Sequence, residues 1–394
     1  MTTLPAIHTA PDASGHEHLT MRLAGDVMTG RGIDQVMAHP CIPKLYEGWM
    51  RDAREYVKLA EKMHGRIPHP VPPEHIWGEA LAEIERHQPD LRLVNLETAI
   101  TPHGHPWPAK GIHYRMNPRH VDALQAARLD VCSLANNHVL DWGVDGIRDT
   151  LSTLHAAGIR TAGAGINRAA AEAPAILLTP QGGRWLVFAW ATTDSGVPQP
   201  WQATGQRPGI QKLETLDEHS ALQVAQTVAR QRQPGDLVIV SLHWGGNWSW
   251  DVPEEQQRFA HRLIDWGVAD LVHGHSSHHP RPIEVYRDKL ILYGCGDLIN
   301  DYEGIGRHEM GDTGVACLDF VRVSPRTGEL QHLEVQAWTL KKFRLVRAAA
   351  PEKQEFLTQF NNHIAAFKIR LEVRADSNWA LAWNPALDDP VVVR

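Results

Sequence analysis

Apolar runs of strand length alternate with stretches of helical spacing along this chain, and that alternation constrains its fold more than any other feature. LTMRLAGDVMTG begins at Leu19 and alternates apolar residues into Gly25-Asp26, the pattern of a strand ending in a turn. LRLVNLETAI (91–100), VCSLANNH (131–138), WLVFAWATT (185–193), DLVIVSLHWG (236–245), DLVHGH (270–275) and KLILYGCGD (289–297) read as further strands. GVACLDFVRV and HLEVQAWTL complete the sheet material. Between the strands, WGVDGIRDTLSTLHAAG is a helix stopped by Gly158, and LDEHSALQVAQTVARQ is a second. PEEQQRFAHRLIDWG is a third, with Pro253 near its start and Gly267 past its end. Strands alternating with helices predict an α/β fold.

No linker divides residues 19–345, which read as one large domain. Residues 1–18 read as a disordered leader. Inside the domain, apolar positions at Leu45, Trp49, Ala53, Tyr56, Val57 and Ala60 predict a helix over 44–64. IPHPVPP breaks it, and a second helix follows to about His87. This 44–87 insertion falls between the first two strands and could wall or lid a site there. Residues 346–394 read as a C-terminal helix followed by an irregular tail.

The formal net charge is −7 with no Lys/Arg-rich run, which argues against nucleic acid or an anionic membrane as partner. No stretch is apolar enough to predict a transmembrane helix, and the N-terminus has no signal-peptide pattern. The four cysteines form no CxxC pair, so a reducing cytoplasm is the simplest expectation.

The chemistry gathers at strand ends. Asp26, Glu97, Asn137 with His138, His243, and His275 with His278 all stand where an apolar run gives way to a turn. In open α/β sheets, ligands bind outside the carboxyl ends of the strands. Carboxylates, a carboxamide and imidazoles together suit a divalent ion such as Mn²⁺, Fe²⁺ or Zn²⁺ without thiolates. Each residue also has a plain alternative: Asp26 or Glu97 as a turn cap, Asn137 as a left-handed residue, His243 as a hydrogen-bonded core histidine. With 24 histidines in the chain, only those beside other ligand types carry weight.

The ordered motifs GDVMTG, NLET, LANNH, GAGIN with AAAEAP, LHWG, GHSSH and YGCGD resemble the CapA family, named for poly-γ-glutamate capsule proteins. The resemblance spans roughly 20–345 and implies a calcineurin-like metallophosphoesterase sandwich, with mixed β-sheets flanked by helices and an inserted helical segment. Carried over by motif, it implies Asp26, Glu97, Asn137, His243, His275 and His278 as metal ligands, with His138 facing substrate. The chain departs from phosphoesterases in having Val27-Met28 where they carry D-x-H, Glu97 where they use Asp, and G-H-x-x-H late in the chain. One or two divalent ions therefore stay open, as do Mn, Fe, Zn, Mg or Ca.

An anchorless branch of the family contains a peptide epimerase that inverts the C-terminal Trp of a lasso-peptide precursor. This chain is similar to it in length class, missing anchor and motif order. That resemblance implies 1,1-proton transfer at an α-carbon without an organic cofactor, on a peptide substrate, with a leader-peptide-binding protein as a further partner to expect. Acid/base candidates are His138, His273, His279 and Cys295, and Trp244, Trp248 and Trp250 are candidates for an apolar pocket around a peptide end. The alternatives are a metal-dependent phosphoesterase, for which Arg31 and Arg281 are the nearest cations, or a polyglutamate-related protein with a binding or assembly role.

Overall fold

The computed structural model describes residues 18–305 and 314–383. Residues 1–17 of the expected leader lie outside that range. In chain order the first main strands are β1 (Leu19–Val27), β2 (Leu91–Leu96), β3 (Val131–Ser133) and β4 (Arg160–Ala162). Next come β5 (Arg184–Thr192), β6 (Asp236–His243), β7 (Leu271–His275), β8 (Ile283–Tyr286) and β9 (Lys289–Leu292). The series ends with β10 (Asp297–Ile299), β11 (Ala316–Val323), β12 (Leu330–Leu340), β13 (Arg370–Val373) and β14 (Trp379–Ala382).

Two mixed sheets carry the fold. One runs β13-β14-β12-β11-β1-β2-β3-β4, with β10 also on β1, and the other contains β5-β6-β7-β9-β8. β1 through β4 pair in parallel, as do β5, β6, β7 and β9, so the carboxyl ends of each parallel set lie together. This is the α/β sandwich of mixed sheets flanked by helices that the motif order implied.

Side-chain parity explains the layering. In β6, Leu237 and Ile239 enter the core between the sheets, whereas Val238, Val240 and Leu242 enter a second core. Phe259 and Leu263 of the helix Glu254–Asp265 pack into that second core. Successive side chains of a strand alternate faces, so Ser241 and His243 share the inter-sheet side with Ile239. The same parity groups His273 and His275 with Leu271.

A β-bulge aims the first carboxylate. Ala24 pairs with Val94 and Asp26 with Asn95, so Gly25 is an extra residue in β1. A bulge re-aims the side chain that follows it. A Cβ at residue 25 would sit 1.9 Å from the Gly296 carbonyl oxygen, which only glycine avoids. Gly25→Ala is expected to destabilise the protein by about 1–3 kcal/mol, measured as the denaturant midpoint at constant m-value.

Two segments differ from the sequence expectation. The first helix of the insertion begins at Arg54, not near residue 44. Residues 43–53 instead fold back, with Leu45 N–H donating to Arg51 O (2.9 Å) and Ala53 N–H to Pro43 O (2.7 Å). Asp52 then takes the Arg54 N–H at 2.9 Å, opening the helix there and leaving Trp49 exposed. At the other end, residues 370–382 are not irregular: β13 and β14 form a hairpin that extends the first sheet through β12. Burial of Leu371, Trp379 and Leu381 on this edge favours the strands. No helix among the described residues is long and apolar enough to cross a membrane.

Candidate metal centre

Register brings the strand ends together. Asp26 of β1 lies opposite Asp297 of β10, and His243 of β6 opposite His275 of β7. Donor atoms of Asp26, His243 and His275 all lie within 4.8 Å of one another, and so do those of Asp26, His278 and Asp297. Asp26 is common to both triads, the position of a carboxylate that could bridge two ions. His243 Nδ1 and His275 Nδ1 are 2.9 Å apart, and His278 Nδ1 is 2.8 Å from Asp297 Oδ1.

Of the remaining expected ligands, Glu97 adjoins Asp26. Asn95 Nδ2 donates to Asp26 Oδ1 (2.7 Å) and to Glu97 Oε2 (3.3 Å), which sets the two carboxylates side by side. Asn137 follows β3, and its Oδ1 is buried without a hydrogen bond. Asp26 Oδ2 and His243 Nε2 are orphaned in the same way. A buried polar atom without a partner costs free energy, and these three are oxygen or imidazole donors on the expected ligand set. The residues therefore fit a divalent cation.

Electrostatics agree. Burial and the nearby Asp297 carboxylate push Asp26 up to about 7, and burial with Asp26 raises Glu97 well above the usual carboxylate range. Crowded acids of this kind call for a counter-cation. Burial holds His243 and His275 far below the ordinary imidazole value, hence neutral and able to ligate.

The acid/base candidates separate cleanly. His138 turns Nδ1 to Asp141 Oδ2 at 2.6 Å and holds Nε2 3.6 Å from Glu97 Oε1. Burial opposes ionisation of Asp141, but His138 and Lys110 outweigh it and keep the carboxylate below its usual range. Lys110 Nζ lies 2.6 Å from Asp141 Oδ1 and 3.0 Å from His138 Nδ1. His138 is thus an oriented imidazole whose Nε2 faces the carboxylates.

His273 and His279 are placed otherwise. His273 contacts Ser241 Oγ (3.1 Å) through Nδ1 and Ala24 O (2.9 Å) through Nε2, tying the two sheets together. His279 contacts Pro280 O (3.0 Å) through Nδ1, and its Nε2 accepts the Ser249 N–H (3.2 Å). With both ring nitrogens engaged, neither is free to carry a proton to substrate. Cys295 is buried against Cys317 and Asp319, and burial with those neighbours raises its thiol well above normal. Nothing there activates a thiolate.

The tryptophans also divide. Trp244, of opposite parity to His243, stacks on Tyr293 in the outer core at 6.0 Å between ring centroids. Trp250 stacks on His363 of the C-terminal helix at 4.8 Å and borders His279. The Trp248 ring stands beside a candidate ligand, 5.3 Å from His278. Met63 and His64, at the end of the insertion helix, line a cavity of about 330 Å³ that reaches His278 and Asp297.

Sequence reasoning passed over Asp297, Asp141 and Lys110. Asp297 had a visible signal, since YGCGD ends an apolar run in Gly-Asp just as β1 does. Lys110 had none, because it arrives from the irregular loop that precedes Arg115–Met116.

Comparison with known proteins adds family evidence. The profile described as "Bacterial capsule synthesis protein PGA_cap" matches residues 20–302. A "Probable polyglutamine synthesis accessory protein" of Mycobacterium tuberculosis is 44% identical over 366 residues, covering 93% of this chain and 96% of that protein. The "Capsule biosynthesis protein CapA" of Bacillus anthracis is 26% identical over 79% of this chain and 69% of its own length. A solved phosphatase structure from Mycoplasma pneumoniae aligns at a TM-score of 0.44 and 12% identity, over 86% of this chain and 98% of that one.

Proposed function

The chain belongs to the PGA_cap family of bacterial capsule synthesis proteins, and on that premise we propose that it is a divalent-metal-dependent enzyme serving the synthesis of a glutamine- or glutamate-rich polymer, by hydrolysis at amide links of that polymer. The observation that carries this is Asp26 shared between two donor triads, with orphaned oxygen and imidazole atoms around it. The polymer class comes from the names of the relatives at 44% identity and of the CapA proteins.

A divalent ion held by Asp26, Asn137, His243, His275 and Asp297 would supply Lewis acidity and activate water. The protein's own groups supply the rest. Asp141 fixes the tautomer and plane of His138 with Nδ1–H toward the carboxylate, so that Nε2 can take a proton from the attacking water and pass it to the leaving amine. Lys110 keeps Asp141 ionised while doing so. Phosphoester chemistry has less support, because both nearby arginines are committed elsewhere. Arg31 pairs with Glu47 and Asp301, and Arg281 bonds Gln256 and the Asp251 carbonyl.

One observation favours a second reading, epimerisation at a peptide α-carbon. Two carboxylate-paired imidazoles, His138–Asp141 and His278–Asp297, serve one site, and a 1,1-proton transfer needs two such groups. A peptide substrate, with a leader-binding protein beside it, belongs to that reading.

A single assay separates the readings. The purified protein is incubated in D₂O with glutamine and glutamate oligomers and a Trp-ended peptide, with Mn²⁺ or with EDTA. New amino termini that depend on Mn²⁺ support hydrolysis. Deuterium gain at an α-carbon without cleavage supports epimerisation. Phosphate released from a model ester, with neither of the others, defeats both.

A further inference from the structure

We propose that Arg31 is the positioning residue that fixes the two imidazole–carboxylate pairs, His138–Asp141 and His278–Asp297, relative to each other. The inference rests on the proposed site, in which His138–Asp141 moves protons and His278–Asp297 stands among the donors to the ion.

Arg31 lies just past β1 between Gly30 and Gly32, with φ 48° and ψ −118°. Side chains other than glycine rarely adopt that backbone region, and such residues persist where the surrounding structure over-determines them. Glycine would relieve the strain at this position, so what the chain retains is the guanidinium. That group is buried and fully engaged. Nη1 donates to Glu47 Oε1 (2.9 Å) and to the Tyr56 hydroxyl (3.0 Å), Nε donates to Asp301 Oδ2 (3.2 Å), and Nη2 donates to Asp301 Oδ1. A buried ion triad is weak evidence for stability, since packed apolar groups can do as well.

The guanidinium lies over three tyrosine rings, that of Tyr56 at 4.1 Å and two that lead toward the site, Tyr114 and Tyr302. It lies 4.5 Å from the Tyr114 ring centroid and 5.5 Å from that of Tyr302. Their hydroxyls meet at 2.8 Å. Tyr114 touches one imidazole–carboxylate pair by ring and by backbone, and Tyr302 reaches the other by its ring and through Asn300. The Tyr114 ring meets His138 edge-on at 4.5 Å, and the Tyr114 N–H donates to Asp141 Oδ2 at 2.7 Å. The Tyr302 ring meets His278 edge-on at 5.7 Å, and the Tyr302 N–H donates to Asn300 Oδ1 at 3.0 Å. Asn300 Nδ2 in turn donates to Asp297 Oδ2 at 2.9 Å. Two chains of contact therefore leave Arg31, and each ends on both members of one pair.

The test compares Arg31→Lys and Tyr302→Phe with Glu47→Gln, which loosens the insertion side of Arg31, Tyr56 included, and leaves its Tyr114 and Tyr302 contacts. Turnover, Mn²⁺ bound per chain, melting temperature and the His138 and His278 ring signals of ¹³C-histidine-labelled protein are measured. Arg31→Lys, assayed with Mn²⁺ saturating the site, is expected to lower kcat about 10–100-fold with KM within about twofold, the mark of misplaced reacting groups. Glu47→Gln is expected to lower the melting temperature with kcat within about threefold of wild type. Equal kcat loss in Arg31→Lys and Glu47→Gln would make Arg31 merely structural and overturn the proposal. If the protein turns over no substrate tried, the proposed activity fails separately, and the ring signals decide. Shifts at both histidines in Arg31→Lys and Tyr302→Phe, absent in Glu47→Gln, sustain the positioning role, and unmoved signals end it.

Discussion

Asp26→Asn is expected to abolish metal binding and, with it, turnover. Asp26 is common to both donor triads, and its Oδ2 is an orphaned buried acceptor. Partners behind a metal ligand already cost about 10–100-fold in affinity when changed, so losing the shared carboxylate should exceed that. Metal analysis after dialysis against Mn²⁺ checks it, and a variant that keeps full metal content would sink the assignment. The same substitution should act in the opposite direction on the metal-free protein. The Asp26 carboxyl has a folded value of about 7 against an ordinary 3.8. Between those values the native state holds a proton that the unfolded chain has lost, so this group costs stability as pH rises through the window. Asparagine removes that cost. In EDTA, Asp26→Asn should melt higher than wild type at pH 8, and the gap should close as pH falls toward 4. Saturating metal should reverse the order at pH 8, because only the wild type gains binding free energy.

Asp141→Asn is expected to leave metal binding intact and still lower kcat by about 10²–10⁴-fold, the usual worth of an oriented acid/base group. Asp141 Oδ2 accepts from His138 Nδ1 and from the Tyr114 N–H, and Oδ1 meets Lys110. The amide cannot satisfy all three with the same tautomer of His138, and it strands a half-buried lysine. Asp26→Asn and Asp141→Asn thus differ in kind: the first loses ion and activity together, the second activity alone. Steady-state kinetics beside metal content on the two proteins reads that difference, and full activity in Asp141→Asn would remove His138 from its proposed role.

The strand-end placement of the candidate ligands was legible because strand periodicity is local. His273 and His275 share a face by parity, as do Ser241 and His243, and no tertiary information is needed to say so. The motif order likewise pointed to a two-sheet sandwich before any coordinates. What the sequence could not say is which imidazoles come within reach of Asp26. His273 and His279 look as good as His275 and His278 in the string VHGHSSHHP, yet their partners are Ala24 O and the Ser249 N–H, set by contacts with β1 and with the tryptophan loop. The 44–64 segment misled for a related reason. Its apolar spacing is helical throughout, but the Pro43–Ala53 hydrogen bond and the Asp52 cap favour a fold-back turn before the helix.

By itself the sequence determined the element types, the face each strand histidine takes and the acidic, amide and imidazole character of the ligand set, all properties of neighbouring residues along one chain. Tertiary structure alone decided that Asp297 stands opposite Asp26, that Lys110 reaches Asp141 from an irregular loop, and that Arg31 spans two tyrosines. Those pairings join residues far apart in sequence, and their distances depend on how two sheets pack and where one bulge falls, which no local pattern encodes.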